Sequence, residues 1–143
     1  MKTLSIKDVE YIAFRMAKEM LAFEEPIPDF STRFPNILES CVVTPFQRFS
    51  KKSLYPGLYP KASILFYLMI KNHPFQNGNK RIAMTILFVF LYLNNKWIKA
   101  DLQELYNFTA WVAESPAQFK DEVVKAIEKF LKTHAEIISL NNS

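Results

Sequence analysis

The chain has 143 residues, of which half are hydrophobic and 15% aromatic, and its net charge is +4. This length and composition predict one domain, residues 1–143, with a substantial core, and they exclude disorder over most of the chain. One cysteine and two histidines exclude an internal disulfide and the usual zinc sites, and without a Lys/Arg cluster no nucleic-acid partner is expected.

The start of the chain and its longest apolar run bear on location. Residues 1–8 lack the apolar segment of a signal peptide. Residues 86–93 form the longest apolar run, which is far too short to cross a bilayer. We therefore expect a cytoplasmic protein without a membrane partner.

The first predicted helix begins at Ser5, which forms a capping-box pattern with Asp8. Behind this cap, apolar residues recur every three to four positions as far as about Leu21 and predict one buried face. That predicted face consists of Ile6, Val9, Ile12, Ala13, Met16 and Met20. Two prolines within residues 25–29 then predict irregular structure.

A short helix over residues 35–43 is predicted next, opened by Pro35 and ending before Pro45. Residues 44–59 are rich in proline and aromatic residues and contain one of the two glycines of the chain. We interpret this stretch as an ordered loop or small hairpin, in the position of a flap.

Two strongly apolar helices are predicted around the middle of the chain. The first has Pro60 in its first turn and reaches about residue 70, and the second runs from about Asn79 to a stop at Asn94 and Asn95. Because apolar residues surround both helices almost completely, we expect this pair to be central and buried.

Two more helices are predicted at the C-terminal end. Asp101 with Glu104 is expected to cap a helix that reaches about Glu114, and Ser115 with Gln118 to cap the last helix. The last helix should bury Phe119, Val123, Ile127, Phe130 and Leu131. Residues 139–143 are expected to be a frayed tail. The fold class predicted from all these elements is all-α, a bundle of about six helices.

A polar loop separates the two central helices, and its residue types suit phosphate chemistry. It reads His73-Pro74-Phe75-Gln76-Asn77-Gly78-Asn79-Lys80-Arg81. The turn around Gly78 could present main-chain N–H groups to an anion at the start of a helix, where the helix dipole also favours phosphate. Lys80 and Arg81 oppose the usual preference for acidic residues in a first helical turn, which favours a bound anion there.

His73 and Phe75 have other predicted roles in this loop. His73 is the nearby side chain able to take a proton at neutral pH, and Phe75 is predicted to anchor the loop in the core. The alternative interpretation is a structural connector, in which the loop is a polar, solvated turn between two helices.

The nine-residue loop resembles the signature of the Fic/Doc family, HPFx(D/E)GN(G/K)R. Its Lys80-Arg81 ending is similar to the death-on-curing (Doc) branch. The resemblance implies a Fic fold, with a central helix–loop–helix motif preceded by a flap. It also implies transfer of a phosphate-containing group from ATP to a protein hydroxyl.

By position, the family's catalytic roles fall on His73 as the base and Arg81 as the partner of the transferred phosphate. Gly78, Asn79 and Lys80, again with Arg81, would bind the phosphates of the nucleotide. Residues 46–59 would dock the main chain of the target protein.

Three readings of the function stay open under this resemblance. A Doc-like toxin would transfer the γ-phosphoryl group of ATP to a translation protein such as elongation factor Tu. A Fic-type enzyme would transfer AMP instead. A degenerate domain would only bind nucleotide or a partner, because Asn77 stands where the family usually has a Mg²⁺-binding carboxylate. Asn77 is thus a weak candidate metal ligand: either nucleotide phosphates and water mainly hold Mg²⁺, or turnover is slow, or activity is lost.

Control of the activity is expected to come from a second protein. Self-inhibiting Fic proteins carry an (S/T)xxxE(G/N) helix, and this pattern does not occur in the chain. The resemblance therefore implies a separate Phd-like antitoxin as a partner.

Overall fold

A computed structural model describes residues 1–20 and 26–138 of the chain. Its α-helices are α1 (Ile6–Asp8), α2 (Arg15–Met20), α3 (Pro35–Val43), α4 (Leu58–Lys71), α5 (Asn79–Leu93), α6 (Leu102–Glu114) and α7 (Lys120–His134). The strands are β1 (Arg48–Phe49), β2 (Lys52–Ser53), β3 (Lys96–Ile98) and β4 (Ala135–Ile137), and 3₁₀ turns lie at Phe30–Thr32, Thr44–Phe46 and Ala117–Phe119. A π-helical segment, Val9–Phe14, joins α1 to α2, so the described residues form six continuous helices. The predicted all-α fold is confirmed.

The central pair of helices, α4 and α5, forms the core of the bundle. Residues 61–70 and 81–91 are all buried, as their almost uniformly apolar composition predicts. The N-terminal helix, α3, α6 and α7 pack around this pair. Burial of both helices fixes the two ends of the loop between them.

The N-terminal helix begins as predicted but buries a different face. Ser5 and Asp8 form the capping box, with each side chain accepting the other's main-chain N–H. Val9 and Phe14 are buried five residues apart, whereas Ile12, which was predicted to be buried, is 40% exposed. The π-helical turn rotates the buried face, and strict α-helical spacing could not predict that rotation. The predicted end near Leu21 lies outside the described residues.

The predicted side-chain caps of the last two helices are wrong. Asp101 occupies the N-cap of α6 but makes no side-chain cap bond. Ser115 belongs to the end of α6, because its hydroxyl donates to the carbonyl of Val112. In α7 the predicted stripe is buried at Val123, Ile127 and Leu131, with Phe130 half-buried, but Phe119 is 47% exposed. The expected tail, 139–143, lies outside the described residues.

Two short antiparallel strand pairs accompany the helices of the bundle. Residues 44–59, predicted as a loop or hairpin, contain the β1–β2 hairpin, whose turn residues Ser50 and Lys51 both have positive φ. The buried ammonium group of Lys61, on α4, donates to the Ser53 hydroxyl at 3.1 Å and to the carbonyl of Tyr55. The β3–β4 pair was not predicted, and it connects the end of α5 to the end of α7.

Cys41 packs in the core, as expected of a lone cysteine in an apolar run. Burial raises the pKa of its thiol to about 11, against a smaller opposing effect of a hydrogen bond with Asn72. The thiol is therefore protonated and unreactive at neutral pH. As for membranes, no helix within residues 1–20 and 26–138 is long and apolar enough to span a bilayer.

Candidate active site

The loop between α4 and α5 turns sharply at both of its ends. Asn72 is the C-cap of α4, and His73 directly behind it has a left-handed backbone with φ of 49°. Gly78 is the N-cap of α5, also left-handed with φ of 69°. A histidine with positive φ is uncommon, and such strain is held only where the surroundings determine the conformation. The loop thus presents an exposed imidazole from a fixed backbone.

Gly78 is required for space as well as for its backbone angle. A Cβ atom at this position would lie 2.9 Å from Cδ1 of Ile27 and 3.1 Å from the carbonyl oxygen of Pro26. The close approach to Gly78 is therefore made by the chain itself, through residues 26 and 27.

Gly78→Ala is expected to lower the free energy of unfolding by about 2–4 kcal/mol, from left-handed strain plus overlap with Ile27. Urea unfolding would measure it. Ile27→Val removes the overlapping Cδ1 atom, so Gly78→Ala should cost less in that background. An equal cost in both backgrounds would show that Ile27 is not the obstacle.

The side chain of Asn79 closes the loop from inside. Its Oδ1 accepts the main-chain N–H of Phe75 at 3.0 Å, and its Nδ2 donates to the carbonyl of Phe75 at 2.9 Å. Nδ2 also lies 3.5 Å from Nδ1 of His73. The structure thereby brings His73, Phe75 and Asn79 together, although sequence reasoning assigned them three separate roles.

Phe75, the predicted anchor of the loop, packs among aromatic rings of the core. Its ring is 1% exposed and lies 5.5 Å from the ring of Phe14 and 6.1 Å from that of Phe30, between centroids. Phe14 belongs to the π-helical segment of the N-terminal helix. That helix therefore supports the loop, which sequence reasoning did not anticipate.

Arg81 is the second point at which the N-terminal helix reaches the site. Its guanidinium group is buried and donates through Nη2 to the carbonyl of Ala17 at 2.7 Å. Thr85 holds the backbone at the same place by donating its hydroxyl to the carbonyl of Arg81. The carbonyl of Ala17 belongs to α2, so its hydrogen bond connects Arg81 to the N-terminal helix. This contact holds the guanidinium group of Arg81 against the N-terminal helix.

The start of α5 is electrostatically suited to an anion. No acidic residue occupies its first turn, and Lys80 and Arg81 do. The whole segment of residues 40–100 contains no Asp or Glu. Its nine cationic residues are Arg48, Lys51, Lys52, Lys61, Lys71, Lys80, Arg81, Lys96 and Lys99. A segment this one-sided in charge favours a polyanionic ligand such as a triphosphate.

Residues 26–34 form a wall beside the loop that sequence reasoning missed. The N–H of Phe34 donates to the carbonyl of Pro74 at 2.9 Å, and Ile27 covers Gly78. By contrast, Lys61, in the first turns of α4, connects that helix to the hairpin region through polar contacts with Ser53 and Tyr55. The target-docking role assigned to residues 46–59 stays a prediction.

The residues present do not fit a Mg²⁺ ion held by the protein. The side-chain oxygen of Asn77 accepts the N–H of Gly78 at 3.0 Å, and no carboxylate occurs anywhere in residues 40–100. Among the described residues, no group of three or more His, Cys, Asp or Glu side chains could hold a metal. Hard cations prefer charged oxygen ligands, which residues 73–81 lack.

The other histidine lies apart from this arrangement. His134 ends α7, where its ring contacts Phe130 and its Nε2 lies 3.6 Å from Glu104. Chemically, the loop combines one exposed imidazole with a cationic helix start, an arrangement able to accept a proton beside a bound phosphate.

Comparison with known proteins gave two matches and one negative result. The model of the Fic/DOC family matches residues 3–91. A curated protein named Toxin Doc, from Mycolicibacterium smegmatis (strain ATCC 700084 / mc(2)155), is 30% identical over 73 residues. That region is 51% of this chain and 56% of the toxin, so the chain spans about half the length of this relative. No solved structure matches the chain.

Proposed function

The chain belongs to the Fic/DOC family, and from this membership we propose that it is a Doc-like toxin that phosphorylates a protein hydroxyl. The observation that carries the proposal is the motif loop, where an exposed His73 precedes a cationic helix start without acidic residues. The target would be a translation protein of the elongation factor Tu kind, reached in the cytoplasm. A Phd-like antitoxin would restrain the activity.

The reaction follows from these positions. The hydroxyl oxygen of the target attacks the γ-phosphorus of ATP and forms a new O–P bond, while His73 takes the hydroxyl proton. The bond between the γ-phosphorus and the β,γ-bridging oxygen breaks, and ADP leaves. The main-chain N–H groups at the start of α5, together with Lys80 and Arg81, bind the phosphates and stabilise charge in the transition state. Mg²⁺ would enter with the nucleotide, held by its phosphates and water.

AMP transfer to the same hydroxyl is the second candidate, since the motif's charge and histidine suit either phosphorus atom. In that reaction the hydroxyl attacks the α-phosphorus and pyrophosphate leaves. The Lys80-Arg81 ending, shared with the Doc branch, favours the kinase.

The two reactions are separated by the position of the label on ATP. The protein is incubated with cell extract and with either γ-³²P-ATP or α-³²P-ATP, and labelled proteins are separated by electrophoresis. Label from the γ-position alone, lost with His73→Ala, is the expected result. Label from the α-position alone would establish AMP transfer instead, and no transfer from either would contradict both enzymes.

Asn77→Asp tests whether the native residue limits the reaction. Aspartate keeps the oxygen that accepts the N–H of Gly78 and adds the charge that Mg²⁺ prefers, so we expect about a tenfold higher transfer rate. Gln76→Glu, at the exposed neighbouring position, adds the same charge to the loop without that oxygen and should not raise the rate. An equal gain in both variants would contradict a metal effect at residue 77.

A further inference from the structure

Asn79 is a buried polar side chain whose hydrogen bonds determine its orientation. The N–H of Phe75 can only donate and the carbonyl of Phe75 can only accept. The amide oxygen of Asn79 must therefore face the N–H, and the amide nitrogen must face the carbonyl, as the distances of 3.0 and 2.9 Å show. A flipped amide would place a donor against the N–H of Phe75 and an acceptor against its carbonyl oxygen.

This orientation has a consequence for His73. The amide nitrogen of Asn79 has a second hydrogen, and Nδ1 of His73 lies 3.5 Å from that nitrogen. Since an amide nitrogen only donates, this contact favours Nδ1 of the neutral ring as the acceptor, with the ring proton on Nε2. The contact is long for a hydrogen bond, so an incoming hydroxyl can replace it at small cost.

We propose that Asn79 is a positioning residue, which holds the motif loop through Phe75 and sets the orientation and tautomer of His73. The lone pair on Nδ1 is then directed to a fixed place, where the target hydroxyl delivers its proton. The side chain of Asn79 is occupied by these contacts, so we assign it no contact with phosphate. The kinetic meaning rests on the proposed function, but the tautomer of His73 does not.

The first test reads the tautomer directly by two-bond ¹H–¹⁵N NMR of the imidazole rings. The chain has two histidines, so His134→Ala assigns the spectrum. The native protein should show His73 protonated at Nε2. In Asn79→Asp one carboxylate oxygen replaces the amide nitrogen that faces His73, while the other still accepts the N–H of Phe75. The ring proton of His73 should therefore move to Nδ1. Asn72→Asp, an exposed position beside His73, should leave it on Nε2. An unchanged tautomer in Asn79→Asp, or the same shift in Asn72→Asp, would overturn the proposal.

The second test separates positioning from phosphate binding. In Asn79→Ala the dissociation constant of ATP, measured by calorimetry, should stay within about threefold of the native value, because the lost side chain does not contact phosphate. The transfer rate at saturating ATP should fall by at least about tenfold, because the imidazole of His73 loses its fixed orientation. A larger loss of ATP affinity would assign the side chain to phosphate binding and overturn the proposal. If the native protein bound no ATP, the proposed function would fail, and the NMR test would still decide the role of Asn79.

Discussion

Replacement of His73 by alanine is expected to lower the transfer rate by about 10²–10⁴-fold, the usual contribution of a general base. The side chain is exposed and extends from a loop whose geometry depends on Phe75 and Asn79, so its removal should leave the fold intact. Initial rates with labelled ATP measure the loss, and urea unfolding verifies the fold.

His134→Ala is the matched control, since it removes the other histidine at the end of α7. This variant should transfer at the native rate. A His73→Ala variant that kept its rate within about threefold would contradict proton transfer through this residue. An equal loss in both variants would indicate a general effect on the fold.

Phe75→Ala is expected to lower the free energy of unfolding by about 3–5 kcal/mol, as is typical of a buried phenylalanine. Its ring is 1% exposed, and it joins Phe14 and Phe30 in one aromatic cluster. The loss includes the apolar area returned to water and the cavity left between the loop and the N-terminal helix. Urea unfolding of both proteins gives the difference directly.

Phe49 provides the control for this second variant. Its ring is 73% exposed in the β1–β2 hairpin, so Phe49→Ala should change stability by no more than about 0.5 kcal/mol. A cost below about 1.5 kcal/mol for Phe75→Ala would mean that the cluster collapses into the space, and that the loop depends on other contacts.

Much of the fold was predictable because local chemistry and tertiary structure agree. Ser5 caps a helix, Pro35 opens one, and Asn94 ends one, each for reasons contained in a few neighbouring residues. The two central helices followed from composition alone, since helices that are apolar all round must be buried. The predictions were wrong where contacts with distant parts of the chain determine the local structure. The sequence allowed Ser115 to cap α7, but its hydroxyl donates to the carbonyl of Val112 instead. The carbonyl of Ser115 also accepts a hydrogen bond from the ammonium group of Lys71.

The position of the candidate loop between two buried helices was predictable from sequence, and its internal arrangement was much less so. The order of residue types around Gly78 indicated a left-handed turn before a helix, and both are present. Nothing in the local sequence indicates that Ala17 accepts from Arg81, 64 residues later in the chain. The amide of Asn79 gave no signal either, because asparagine suits a turn, a phosphate contact and a loop clamp equally well.

The burial of α4 and α5 on all sides also has a consequence for aggregation of the unfolded chain. An unfolded chain exposes two long apolar segments, residues 61–70 and 81–91, to neighbouring molecules. Such segments are sites of aggregation until the outer helices cover them. A partner that binds only the native chain withdraws it from the unfolded pool by mass action. We therefore expect the proposed antitoxin, by binding the native chain alone, to prolong the lifetime of the folded protein as well as to block the proposed activity.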